Sequence, residues 1–146
     1  LIDLLGPVRS VAAQVRYVPE APLDFFQSCF AQAQLEFVAG AIAEVGYHKG
    51  EHCWSAQRTL EICGTHGQIR FEGEQGTLIT ADDPPQSLEA KSPRGLFQQD
   101  TEAVCRHLCQ GQPLYVGQQS ILRAIATAEA AETAAQTRTV VAVPQV

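Results

Sequence analysis

The sequence predicts an α+β domain: a mostly antiparallel β-sheet with helices packed on one face and the other face open. Three observations predict it. Between residues 8 and 81 apolar side chains recur at every second position, the period of a half-buried strand. The connections between those runs are far too short for the crossover that parallel neighbours need. After Phe97 the apolar spacing changes to that of a helix.

Val8 to Val18 reads as the first strand, with Val11, Ala13, Val15 and Tyr17 alternating against Ser10, Ala12, Gln14 and Arg16. Pro19 and Pro22 interrupt it and predict a loop to Asp24. Cys29 to Val38 is the second strand, with Ala31, Ala33, Leu35 and Phe37 on one side. Ala39-Gly40 is a tight turn, and Ala41 to His48 returns as the hairpin partner. After a polar loop from Lys49 to Ser55, strands are expected at Arg58 to Cys63, Gln68 to Glu72 and Thr77 to Ala81, and a short one at Gln86 to Lys91. Together they form an antiparallel meander. Phe97, Thr101, Val104, Cys105 and Leu108 then share one helix face, expected to point inward; Gly111 and Pro113 end that helix. A second helix from Gln118 to Ala135 is expected to turn Ile121, Leu122, Ile125 and Ala128 inward. Thr139 to Val143 closes the sheet before Pro144.

At 146 residues, 45% apolar and 18% charged, the chain suits a single domain spanning residues 1–146. No stretch approaches the ~20 apolar residues of a membrane span. Five cysteines, an odd number at low density, read as reduced thiols, and a soluble cytoplasmic protein is the default expectation. A formal charge of −6, with only two Lys among ten basic residues, argues against nucleic-acid binding. The lack of any Met predicts a fragment or a processed form.

Four segments resemble the C-terminal domain of the glucose–fructose oxidoreductase and myo-inositol dehydrogenase (Gfo/Idh/MocA) family. They are the hairpin Leu35 to Ala43, the run Leu60-Glu61-Ile62-Cys63-Gly64-Thr65-His66-Gly67, the helix Phe97 to Gly111, and Leu122 to Val140. The resemblance implies a dihydrodipicolinate-reductase-like C-terminal fold and a two-domain parent enzyme. In the parent, a Rossmann half binds NAD or NADP and supplies a Glu-Lys-Pro lysine, and an Asp/His pair opens the second half. By the family's spacing to Gly6, that pair falls upstream of Leu1. No catalytic residue therefore carries over, and the N-terminal Rossmann domain is expected to be absent from this chain.

Direct search of the residues agrees. No Gly-x-Gly-x-x-Gly turn leads from a strand into a helix, and Gly64, Gly67, Gly73 and Gly76 read as hairpin turns. No cofactor-binding residue and no metal site is expected: Cys63 and His66 are too few ligands, and His107 points away from Cys105 and Cys109 on a helix. Tyr47, His48 and Trp54, with His52 and Cys53 beside them, are the substrate-side candidates; the competing reading is a solvated loop.

The expectation is thus the C-terminal substrate and oligomerisation domain of an NAD(P)-dependent oxidoreductase acting on a sugar, polyol or related hydroxyl or carbonyl compound, inactive alone. The alternative is a non-catalytic binding or assembly module. A polar face carrying Gln14, Arg16, Gln32, Gln34, Glu36, Glu44, Thr59, Glu61, Arg70 and Glu72 predicts a homo-oligomer through the open sheet face. Titrating this 146-residue chain with NADH or NADPH, followed by fluorescence or calorimetry, is expected to show no saturable binding.

Overall fold

The computed structural model describes residues 1–19, 26–55, 57–90 and 95–146. The proline-rich loop expected after the first strand, at residues 20–24, and Lys91 lie outside the described residues. The chain divides into two compact units, one built from residues 1–54 and 107–146, the other from residues 55–106.

The first unit opens with a one-turn helix, α1 (Ile2–Leu5), ended by Gly6. Its sheet has the order β3-β2-β1-β8, from β1 (Val8–Pro19), β2 (Phe26–Phe37), β3 (Ile42–Gly50) and β8 (Val141–Ala142). All pairings are antiparallel. The β2–β3 turn is closed by the Phe37 and Gly40 amides, and Gly40 takes φ 91°, which an L side chain rarely adopts. Arg9 braces this end: its guanidinium donates to Glu36 Oε1 at 2.8 Å and to the Val38 carbonyl at 3.1 Å.

Helix α3 (Gln118–Thr137) packs on this sheet. The core holds Val8, Val11, Leu35 and Phe37 from the strands, Val143 from the tail and Ala130 from the helix. The inward face of α3 is Thr127, Ala130 and Ala134, whereas Ile121, Leu122 and Ile125 are about half exposed and Ala128 is exposed. This corrects the expected orientation. The strands already supply the bulk of the core, so the helix approaches with its smallest side chains. Thr127 is tolerated there because its hydroxyl donates to the Arg123 carbonyl at 2.7 Å.

The second unit is a separate four-stranded sheet, β4-β5-β6-β7, from β4 (Thr59–Gly64), β5 (Gly67–Glu72), β6 (Gln75–Thr80) and β7 (Gln86–Glu89). The expected meander is therefore two sheets. The break has a local cause: after Gly50 the chain does not turn directly into a partner strand, because His52 is drawn back to Ser28 of β2. On one face of this sheet Leu60 stands opposite Phe71, Ile62 opposite Ile69, and Ile69 opposite Leu78. Gly76 lies within β6 rather than in a turn. A Cβ there would come within 2.4–2.7 Å of the Phe71 ring, so the ring occupies the space a side chain would fill.

Helix α2 (Leu96–Gln110) ends at Gly111, whose amide donates to the His107 carbonyl. No residue of α2 is buried, and Phe97 is 90% exposed. Its expected inward face is thus uncovered: the 3.6-residue period reports that a helix has an apolar stripe, not what meets it. No helix among the described residues is long and apolar enough to cross a membrane.

The first unit depends most on Phe37, which is fully buried. Phe37→Ala is expected to cost about 3–5 kcal/mol in urea denaturation.

Candidate functional site

Strand register arranges the helix-facing side of the first sheet as a grid. Residues directly opposite in antiparallel strands share a face. Val11, Leu35 and Ala43 form one row, followed by Ala13, Ala33 and Val45, then Val15, Ala31 and Tyr47, then Tyr17, Cys29 and Lys49. Helix α3 covers the first row. Beyond it the central strand carries only Ala33, Ala31 and Cys29, while Val15 and Tyr17 rise on one side and Val45 and Tyr47 on the other. The result is an apolar trough, about 10 Å across three strands and about 14 Å along the central one. Its flanking side chains are open, with Tyr17 at 56% and Tyr47 at 55% exposure. Lys49 and the two phenols make the far end polar.

Where the trough meets the end of α3 there is a cleft of about 580 Å³. Its lining includes Ala13, Val15 and Ala33 from the trough and Ala135, Arg138 and Thr139 from the helix end. Arg138 is the one non-glycine residue among those described with positive φ, at φ 57° and ψ 35°. Its amide closes the helix on the Ala134 carbonyl at 2.8 Å. Two threonines brace this bend: Thr137 Oγ1 donates to the Thr133 carbonyl at 2.8 Å and lies 2.8 Å from Thr139 Oγ1. The Arg138 guanidinium has neither an ion pair nor a side-chain hydrogen bond among the described residues.

The three sequence candidates do not converge. Tyr47 sits on the trough. His48, next in the strand, points to the opposite face, where its ring meets Phe30 at a centroid distance of 5.5 Å. Trp54 lies in the loop after β3 at 93% exposure. His52, beside them, has a firm partner. Its backbone amide donates to Ser28 Oγ at 3.0 Å, and its Nδ1 is 2.8 Å from the same oxygen. Ser28 is fully buried, so this pair pins the loop to β2.

Among the described residues no group of three or more His, Cys, Asp or Glu could hold a metal. Cys63, Cys105 and Cys109 are exposed free thiols. Gly64, Gly67 and Gly73 all serve strand-to-strand connections, which offer no cradle for a dinucleotide phosphate. Sequence reasoning missed Arg138. A signal was available: the junction Thr137-Arg138-Thr139 must end a helix and begin a strand, yet it contains no glycine for the left-handed residue such an ending uses.

A family model described as the oxidoreductase family, C-terminal alpha/beta domain, matches residues 1–143. The chain belongs to that family. Solved relatives of this oxidoreductase-family domain share its fold. The biliverdin reductase of Synechocystis sp. PCC 6803, in complex with biliverdin and NADP+, is 40% identical, with TM-score 0.82 over 92% of this chain and 42% of that one. A levoglucosan dehydrogenase in complex with NADH is 17% identical, with TM-score 0.80 over 99% of this chain and 47% of that one. The WlbA dehydrogenase from Bordetella pertussis, in complex with NADH and UDP-GlcNAcA, is 18% identical, with TM-score 0.68 over 97% of this chain and 40% of that one. The chain thus spans less than half the length of these structures. No curated protein matches it in sequence.

The pinned loop gives a local test. Ser28→Ala removes the buried hydroxyl and is expected to cost about 1 kcal/mol in chemical denaturation. His52→Ala loses the side-chain bond alone, so it is expected to cost less.

Proposed function

We propose that this domain forms one wall of the substrate site in an NAD(P)-dependent reductase for an open-chain tetrapyrrole of the biliverdin class. The trough carries the reading. A tetrapyrrole is broad, flat and conjugated, and an alanine floor between aromatic and β-branched flanks suits a face-on contact. The relative at 40% identity is a biliverdin reductase, whereas the dehydrogenases at 17–18% share only the fold. A sugar or polyol, the substrate class expected from the family resemblance, presents many hydroxyls. This face answers them with two phenols and one ammonium. The proposal uses Tyr47 as a trough side chain and assigns no role to His48 or Trp54.

Hydride transfer belongs, on this reading, to a Rossmann half elsewhere in the parent protein, and this chain alone does not catalyse it. The chain's own residues bind and orient the pigment and keep water from its lower face. Five free cysteines fit a reducing, cytoplasmic setting. The open face of the first sheet, with Gln14, Gln32, Gln34 and Glu44, is proposed to pair across a two-fold axis in a homo-oligomer.

The test uses the full reading frame that contains this chain. With NADPH, biliverdin is expected to be reduced and levoglucosan or myo-inositol to be inert. Ala31→Phe fills the trough and is expected to lower kcat/KM for biliverdin by at least about tenfold. Turnover of a sugar but not of biliverdin would overturn the substrate assignment. Lack of any nicotinamide-dependent activity would favour the non-catalytic module. A clean monomer in sedimentation at high concentration removes the oligomer.

A further inference from the structure

We propose that Arg138 is the residue that recognises the substrate's carboxylate, a specificity determinant that rests on the tetrapyrrole reading above. Four observations bear on it. Arg138 adopts the left-handed conformation without being glycine, which is disfavoured for a side chain with a Cβ. That conformation is held from both sides by the threonine hydroxyls of Thr137 and Thr139. Its side chain lines the cleft at the end of the alanine floor. Its guanidinium is unpaired, whereas Arg9, Arg70 and Arg106 each hold a glutamate.

Strain retained at a cleft-lining residue, where glycine would remove it, points to a use for the side chain. Guanidinium presents parallel donors that match the two oxygens of a carboxylate, and it keeps its charge at all working pH values. A bound tetrapyrrole laid on Ala33 and Ala31 would carry its propionates at the polygon's margin, within reach of the cleft wall. Glu44 also lines this cleft, but its register beside Gln34 places it on the opposite, polar face of the sheet. The arrangement therefore selects a flat ligand that carries an acid group over the same ligand with that acid masked.

The experiment compares biliverdin with its dimethyl ester in the full-length enzyme. Arg138→Ala is expected to raise KM for the free acid about tenfold, the loss of one charged hydrogen-bonding pair, while leaving KM for the ester and kcat for both little changed. Arg138→Lys is expected to fall between. Arg138→Gly is expected to lose acid preference as fully as the alanine variant, yet to melt at a higher temperature than it, because glycine relieves the left-handed residue. An unchanged acid-to-ester ratio in both the alanine and glycine variants overturns the assignment even if the enzyme reduces biliverdin. A wild-type enzyme that reduces neither compound overturns the tetrapyrrole reading, and this inference with it.

Discussion

Close approach between the alanine side of α3 and the first sheet is the contact on which the rest of that unit depends. Ala130 and Ala134 are the residues that let the helix descend onto Val8, Val11, Leu35 and Phe37. Small residues bury little area each, but they allow the larger strand side chains to meet the helix backbone without voids. The same descent fixes where α3 must stop. The helix ends over the second row of the sheet, and β8 must then reach Val11 within three residues of Arg138. The left-handed bend at Arg138 follows from that short path. Core packing and cleft geometry are thus one constraint seen at two ends of a helix.

Much of the fold was legible in the sequence because its signals are local. Strict alternation through Val11 to Tyr17 and Ala31 to Phe37 marks strands wherever one face is covered, and Gly40 marks the turn. The helices were legible for the same reason. What they face was not. Ile121, Leu122 and Ile125 form the more hydrophobic stripe of α3, and hydrophobicity alone would turn them inward. The sheet instead selects by size. Likewise, the sequence shows short connections throughout the middle of the chain, but the Ser28–His52 pair that draws the chain away after β3 is a contact between residues far apart in sequence.

The site was less legible than the fold. Tyr47, His48 and Trp54 are adjacent in sequence and polar aromatic in character, which made them a natural group. A strand sends neighbours to opposite faces, and a loop residue is under no obligation to return. The trough, by contrast, is made of Ala31, Ala33, Val15 and Val45, residues that carry no chemical signature and acquire meaning only through register. Arg138 was hidden in another way. It falls within a family-like stretch, and its distinction is a backbone conformation.

The central strand of the first sheet is paired on both sides, so it cannot slip by one residue without turning its whole inner face outward. Positions 31 and 33 are consequently held at fixed height while their side chains remain free to vary. Each methyl group added there would make the basin shallower by a known step, with no demand on the scaffold. Such a surface behaves as a depth gauge, and evolution can reset it for thicker or thinner molecules by exchanging single side chains.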